Sequence, residues 1–136
     1  MASPIEAQFI LCDAAQADPT GKVHMLGAGW SVTSSPTPPH ALALLLRIPW
    51  DRANEKIQVR TVLEDADGHP VILGEPPQEL RQNAEVEVGR PAGVSPGTPL
   101  PATLAISVPP LPLRPGRYQW RAEVGDQSFH ASFQVT

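Results

Sequence analysis

The chain has 136 residues, a net charge of −4 and a charged fraction of 18%, and a chain of this length normally forms one domain with its own core. We therefore expect one domain over residues 1–136. The acidic balance provides no basic surface, so neither nucleic acid nor a membrane is an expected partner. Cys12 is the only cysteine, which excludes an intrachain disulfide and makes a cytoplasmic location the expectation.

The first half of the chain is predicted to form short strands separated by turns. Residues 5–13 and 23–26 are predicted strands, with an Asp-Pro-Thr-Gly turn between them. Gly27 and Gly29 then indicate a bulge or a close backbone approach. Residues 41–48 are apolar on both alternating sets of positions, so we expect the best-buried, central strand there, covered on two sides.

The segment after this strand is predicted to turn and then to continue as further strands. Residues 50–54 have the length of one helical turn, with Asp51 as the expected N-cap. Proline-rich connectors at 89–101 and 109–115 are typical of crossings between two sheets. Three alternating segments are predicted strands, 56–64, 84–88 and 102–108, and 70–73 is predicted as a short strand after the Asp-Gly turn.

The strongest pattern lies at the end of the chain. Residues 117–124 and 127–135 alternate strictly on either side of a Gly-Asp turn, which predicts a β-hairpin. One set of positions, including Trp120 and Phe133, is apolar and the other is polar, so one face belongs in a core and the other in water. Together, about eight or nine short strands predict an all-β, antiparallel immunoglobulin-like sandwich with Greek-key connections.

No catalytic, cofactor or metal site is predicted. The Gly-Val-Ser-Pro-Gly segment at 93–97 has the spacing of a nucleophile elbow, but Pro96 lacks the amide that an oxyanion hole needs. Gly27-Ala28-Gly29 lacks the third glycine and the helix of a dinucleotide site. Asp65-Ala66-Asp67-Gly68 favours a hairpin turn over a calcium loop. No ligand spacing relates the histidines, although the sequence leaves their spatial arrangement open: His24, His40, His69 and His130.

Trp50 differs from the other aromatic residues because it lies in a predicted turn. It stands beside Asp51, Arg52 and Asn54, which supply a carboxylate, a guanidinium and an amide. Such a tryptophan can bind a ligand or a partner protein, and it can equally cover the end of a core. These four residues are the candidate ligand or partner surface.

Four segments of the chain resemble a known family. They are Phe-Ile-Leu-Cys-Asp-Ala-Ala-Gln at 9–16, Gly-Lys-Val-His-Met-Leu-Gly-Ala-Gly-Trp at 21–30, Ile-Pro-Trp-Asp-Arg-Ala-Asn at 48–54 and Pro-Gly-Arg-Tyr at 115–118. Together they resemble a family of small uncharacterised bacterial proteins, largely actinobacterial, that share a domain of unknown function. The resemblance runs over most of the chain. It implies no activity, no catalytic residue and no cofactor, and it marks the tryptophan turn and the Gly-x-Gly-Trp bulge as shared elements.

The leading functional expectation is a non-enzymatic interaction or structural module of unknown specific role. It acts through protein–protein contacts or through self-association, and a homodimer is suggested by the strand at 42–48, which is apolar on two sides. The alternative is a β-sandwich that binds a small ligand or a carbohydrate through the loop Trp50–Asn54. Neither expectation requires a cofactor.

Overall fold

A computed structural model describes residues 3–136. This part of the chain is all-β, with one three-residue 3-10 turn at Trp50–Arg52. Its twelve strands are β1 Glu6–Cys12, β2 Ala14–Ala17, β3 Val23–Leu26, β4 Val32–Thr33, β5 His40–Ile48, β6 Ile57–Asp65, β7 Ile72–Leu73, β8 Gln78–Glu79, β9 Arg81–Val86, β10 Leu100–Val108, β11 Gly116–Val124 and β12 Gln127–Val135.

The strands form two larger sheets and two small ones, none of them closed. The three-stranded sheet has the order β1-β5-β10, and the five-stranded sheet has the order β4-β12-β11-β6-β9. The pairs β2-β3 and β7-β8 form separate two-stranded sheets. Pairing is antiparallel throughout these strands except between β4 and β12. The antiparallel all-β prediction is confirmed, although β2, β4 and β8 were not predicted.

The predicted central strand is β5, and its even-numbered residues face the five-stranded sheet. Leu44 and Leu46 are fully buried in one hydrophobic cluster with Val59 of β6 and Val124 of β11. Leu42 belongs to a second cluster that also draws on both larger sheets. Burial of each large aliphatic side chain contributes about 2 kcal/mol, so the contacts between these two sheets form the principal core.

The opposite face of β5 is covered by the hairpin of β2 and β3. Ala41, Ala43 and Cys12 are buried there, and Ala15 and Met25 of the hairpin pack against them. Because alanine side chains are small, the hairpin can lie close to the sheet. The strand does require cover on two sides, as expected, and at this end the chain provides that cover itself. At this end of β5, cover by a second copy is therefore not needed, and self-association itself stays a prediction.

Aromatic side chains fill the second cluster. Trp120 and Phe133 are each 4% exposed, which confirms the burial predicted from their alternation. Tyr118 stacks on Phe133 with 5.7 Å between the ring centroids. Trp30 meets Phe133 and the buried His40 edge-on, at 5.6 and 5.3 Å. Edge-to-face contacts of this kind stabilise a core by more than the burial of their surface area alone.

Gly27 lies against the side chain of Asp13, and a close backbone approach of the predicted kind occurs at Gly29. Gly27 has φ of +61°, and a Cβ atom placed on it would overlap a carboxylate oxygen of Asp13. Nearby, the Gly29 amide donates to the Leu11 carbonyl at 2.8 Å. Glycine is therefore favoured at position 27 by its backbone angle, and any larger residue would also require the Asp13 side chain to move.

Candidate functional site

The candidate surface begins where β5 ends. Pro49 precedes the 3-10 turn Trp50–Arg52 and takes the N-cap position without a side-chain hydrogen bond. The prediction of Asp51 as the N-cap is therefore wrong, since the N-cap lies two residues earlier, at Pro49. The Asp51 carboxylate instead accepts hydrogen bonds from the amide and hydroxyl of Ser3, at 3.5 and 3.4 Å. These contacts join the turn to the segment before β1.

Trp50 is half-buried, and Arg90 holds it in place. The indole packs against the core cluster that contains Leu46. The Arg90 guanidinium lies 4.6 Å from the centroid of the ring and donates to the Trp50 carbonyl at 2.6 and 3.2 Å. A cation over an indole face is attracted by the charge distribution of the ring. Trp50 thus closes the end of the core and also remains partly accessible.

Trp50 lines an open cavity of about 440 Å³ at this end of the molecule. Its charged side chains are Asp51, Glu6 of β1 and Arg47 of β5. The rest of the lining consists of Ser3, Pro4, Pro49, Gly97 and Pro99. We call this cavity the Trp50 pocket. It combines one aromatic side chain, rigid proline walls and charges of both signs, which are features of binding sites.

Glu6 and Arg47 stand opposite each other in the antiparallel pairing of β1 with β5. Among the described residues neither forms an ion pair within 4.0 Å. Both also line an adjoining recess of about 290 Å³ with Ala7, Gln8 and Leu45. Both charges are exposed, so they remain available to a bound molecule.

Arg52 does not line the Trp50 pocket. Its guanidinium lies 2.8 Å from the Glu55 carboxylate and borders a separate recess of about 270 Å³ with Lys56, Arg60 and Glu123 among its neighbours. The hydrogen bond between Arg52 and Glu55 raises the pKa of the arginine and lowers the pKa of the glutamate. Arg52 is therefore already paired within the chain.

Asn54 has a backbone role in this turn. Its φ of +63° is unusual for a residue other than glycine, and asparagine tolerates that conformation better than most residues. Its amide donates to the Val88 carbonyl at 2.7 Å. Of the four predicted surface residues, Trp50 and Asp51 therefore share one pocket, whereas Arg52 and Asn54 do not line it.

Sequence reasoning did not identify three other charged residues of this site, which are Glu6, Arg47 and Arg90. Glu6 and Arg47 meet only through the register of β1 and β5, and Arg90 is 40 residues from Trp50 in the chain. No local sequence motif indicates these contacts. The available signal was the alternation in β5, which places Arg47 on the face opposite to the buried Leu46.

The four histidines lie in different surroundings. His24 is exposed and contacts the Asp18 carboxylate at 2.8 Å, whose pKa is lowered by hydrogen bonds from Thr20, His24 and Lys22. His40 is buried, and His130 is exposed on β12. Within residues 3–136, no group of three metal-binding side chains contains two of these histidines.

Asp65, Asp67 and His69 lie close together because they form a turn. Their ligand-type atoms are within 4.8 Å of one another. The Asp65 carboxylate accepts the amides of Asp67 and His69 at 2.9 and 3.0 Å, and the Gly68 amide donates to the Asp65 carbonyl at 3.0 Å. These hydrogen bonds are those of an aspartate-initiated turn, which confirms the predicted hairpin turn.

Comparison with protein families identifies one relationship. The model of a family of unknown function, DUF6941, matches residues 7–136. The chain belongs to this family. The match includes the Trp50 turn, Arg47 and Arg90, and it confirms the resemblance to a domain of unknown function. No curated protein matches the chain. In the described part of the chain, no helix has the length and apolarity that a membrane span requires.

Proposed function

We propose that this protein is a non-enzymatic interaction module with an immunoglobulin-like architecture, and that it binds a segment of a protein partner in the Trp50 pocket. The observation that carries the proposal is the position of Trp50, half-buried on the core and restrained by Arg90 while it lines an open cavity. Large aromatic residues held rigidly at a surface pocket supply much of the binding energy in protein interfaces.

Strand order supports the immunoglobulin-like part of the proposal. In the notation of that fold, β1, β5 and β10 occupy the positions of strands A, B and E, while β12, β11 and β6 occupy those of G, F and C. The Tyr118 hydroxyl also donates to the Arg114 carbonyl at 2.8 Å near the start of β11, as in the tyrosine corner of such domains. An experimental structure with a different strand order would contradict this assignment.

The composition of the pocket favours a protein segment as the occupant. Pro4, Pro49 and Pro99 give the cavity walls that lose little conformational freedom on binding. Glu6, Asp51 and Arg47 lie around the indole and can pair with charges of either sign. An apolar centre with charged groups around it is the usual composition of a protein interface.

A peptide-display selection tests the proposal. Peptides that bind the wild-type protein are measured against Trp50→Ala and Asp51→Lys, and we expect each substitution to weaken binding about tenfold or more. Ile72→Ala is the matched control, because Ile72 is an exposed apolar residue, 59% accessible, that does not line the pocket. Circular dichroism checks that each variant is folded. Peptides that bind Trp50→Ala and Asp51→Lys as tightly as wild type would contradict the proposal.

A small ligand or a carbohydrate is the second candidate occupant. A volume of about 440 Å³ lies in the range of small-molecule sites, and sugars stack on indole rings. Tryptophan fluorescence is measured against a panel of glycans and metabolites for wild type and Trp50→Phe. A spectral change in wild type that Trp50→Phe abolishes supports this candidate. No change in wild type with any compound counts against it.

The proposal also includes the cellular location and the origin of the protein. We place the protein in the cytoplasm, because its single cysteine, Cys12, is buried and free and a disulfide framework is absent. We propose a bacterial origin only from the resemblance described above. Burial raises the pKa of the Cys12 thiol, with a further contribution from the Asp13 charge, and so the thiol is protected from oxidation. Fractionation of the native host tests the location, and recovery outside the cytoplasm would contradict it.

A further inference from the structure

We infer that β10 is a self-association surface, on which a second copy of this chain adds its own β10 to form a continuous six-stranded sheet. β10 lies at the end of the three-stranded sheet, and within residues 3–136 no strand pairs with its outer edge. An edge strand presents a row of main-chain donors and acceptors that match another extended strand. This inference goes beyond the proposed function and does not depend on the Trp50 pocket, which no β10 residue lines.

The other edges of the larger sheets are blocked by devices that β10 lacks. β9 carries Arg81 and Glu85, and β4 has only two residues. β1 carries Glu6, and its far end is occupied by the hydrogen bond from Gly29 to Leu11. β10 has nine residues and no charged side chain. Charges, prolines, shortness and cover are the usual protections against pairing at an edge. β10 carries only one of them, Pro101 near its beginning, so its edge at residues 102–108 is left open.

Two observations identify which β10 amides point outward. Pro101 lies within the strand and has no amide hydrogen, so its nitrogen must face away from β5. Independently, the Leu11 carbonyl of β1 points away from β5, because it accepts from Gly29 outside the sheet. In an antiparallel pair, residues whose amides point toward the partner alternate with residues whose amides point away from it. Applied to the registers of β1 with β5 and of β5 with β10, this alternation places the same β10 amides on the outer edge. The free amides belong to Thr103, Ala105 and Ser107.

A two-fold axis at Ala105 makes this edge complementary to itself. Antiparallel pairing about that axis places Thr103 opposite Ser107 of the second copy and gives about six main-chain hydrogen bonds. The same register places Leu104 opposite Ile106 of the second copy. Both side chains are only half-buried in the single chain, although they pack against the two core clusters. Apolar groups thus meet apolar groups, hydroxyls meet hydroxyls, and no like charges oppose each other.

The residue types of β10 favour a second copy as the occupant, because the register about Ala105 opposes apolar to apolar and hydroxyl to hydroxyl side chains without any charged residue. Closed two-fold symmetry is the commonest arrangement of soluble oligomers. It also removes the exposed edge from both partners, and so the dimer does not extend into a fibre. On the outer face of β10, the Thr103 hydroxyl donates to the Gly21 carbonyl at 3.2 Å, whereas Ser107 is exposed. The main-chain edge of β10 provides the contact with the second copy.

Sedimentation equilibrium of the full chain, up to millimolar concentration, tests this inference. We expect a mass of two chains for wild type. Ala105→Pro deletes an outward amide without removing a hydrogen bond to β5, and Ser107→Lys adds a charge at an exposed edge position. Each is expected to weaken the dimer about tenfold or more. Asn83→Lys is the matched control, because it adds the same charge to the exposed residue on the β9 edge.

Hydrogen exchange provides a readout that does not depend on a variant. The amides of Thr103, Ala105 and Ser107 are expected to be protected at high protein concentration and to exchange freely on dilution. A wild type that stays monomeric at every concentration would overturn the inference. A dimer that neither variant weakens, or one without concentration-dependent protection in 100–108, would overturn it as well. Each of these results leaves the peptide-binding test of the Trp50 pocket unaffected.

Discussion

Arg90 restrains both the ring and the backbone of Trp50. Its guanidinium lies 4.6 Å from the ring centroid, and the same group donates to the Trp50 carbonyl at 2.6 Å. The arginine comes from the connector between β9 and β10, so it joins that connector to the turn after β5. A side chain from a distant part of the sequence thereby determines how the tryptophan is presented at the pocket.

Replacement of Arg90 by alanine is expected to lower the free energy of unfolding by about 1 kcal/mol. The cation–π contact contributes about 0.5–1 kcal/mol at an exposed site, and solvent reduces the contribution of the charged hydrogen bonds. Urea unfolding measures the change. Arg117→Ala is the control, because Arg117 is also exposed and does not contact Trp50. Equal stability of Arg90→Ala and wild type would show that the contact does not restrain the turn.

Gly27→Ala is expected to destabilise the protein more than Gly21→Ala. Both glycines have positive φ angles, but a Cβ atom at Gly27 meets the Asp13 carboxylate, whereas one at Gly21 meets nothing within 4 Å. The backbone strain costs about 1 kcal/mol in each variant, and the clash adds to it only at Gly27. Thermal unfolding of Gly27→Ala in an Asp13→Ala background isolates the clash. The prediction is wrong if removal of the Asp13 carboxylate leaves the difference between the two glycine variants unchanged.

Most of the larger strands followed from alternation, because burial on one face leaves a period of two in the sequence. The terminal hairpin is the clearest case, whereas β5 was predicted from a run that is apolar on both alternating sets of positions. The hairpin strand β2 left no such signal, since its sequence Ala-Ala-Gln-Ala lacks the branched and aromatic residues that mark strands. The segment forms a strand because its small side chains allow close packing over Ala41 and Ala43. Its structure therefore depends on tertiary contacts and not on the local sequence.

The candidate site was predictable only in part, for a similar reason. Trp50 and Asp51 are adjacent in the chain, so local reasoning placed both on one surface. Glu6 and Arg47 become neighbours through strand register, and register is invisible without the pairing of β1 with β5. Local reasoning also grouped Arg52 with Trp50, but Arg52 pairs with Glu55 instead.

Thr37 and Leu111 connect the proline-containing loop before β5 to the connector at 109–115. The Thr37 hydroxyl accepts the Leu111 amide at 2.9 Å, and the Thr37 amide donates to the Leu111 carbonyl at 2.9 Å. Thr37 is 1% exposed, so Thr37→Val leaves a buried amide without an acceptor. We expect a loss of about 1–3 kcal/mol in unfolding free energy.

Thr37→Ser is the matched variant, because it keeps the hydroxyl and removes only a methyl group. It is expected to retain most of the stability that Thr37→Val loses, as measured by chemical denaturation of both variants under the same conditions. If the serine variant is the less stable of the two, packing of the methyl group, rather than the hydrogen bond, explains the burial of Thr37.

His40 is expected to make folding stability depend on pH below neutrality. The residue is 3% exposed. Its Nδ1 donates to the Pro38 carbonyl at 3.1 Å, since a carbonyl can only accept, and its Nε2 has no hydrogen-bond partner among the described residues. Burial lowers the pKa of His40 below its ordinary value of 6.5, because a charged imidazole is poorly solvated beside Trp30 and Trp120.

The sign of the effect follows from proton uptake on unfolding. Between the lowered pKa of folded His40 and the ordinary value of 6.5, the unfolded chain binds more protons than the folded chain. The free energy of unfolding therefore falls as the pH drops below 6.5, by at most about 1.4 kcal/mol per pH unit, and it stops falling below the folded pKa. The lowered pKa values of Asp18 and Glu55 act in a separate, more acidic range, where those carboxylates become protonated.

Urea unfolding of wild type, His40→Phe and His130→Gln between about pH 7 and pH 5 separates the contributions of the histidines. The phenylalanine variant keeps an aromatic ring in the cluster and removes the titrating group, so its stability is expected to change less with pH. His130 is exposed on β12, and its replacement is expected to leave the wild-type slope intact. A slope that persists in His40→Phe would assign the pH dependence to groups other than the buried imidazole.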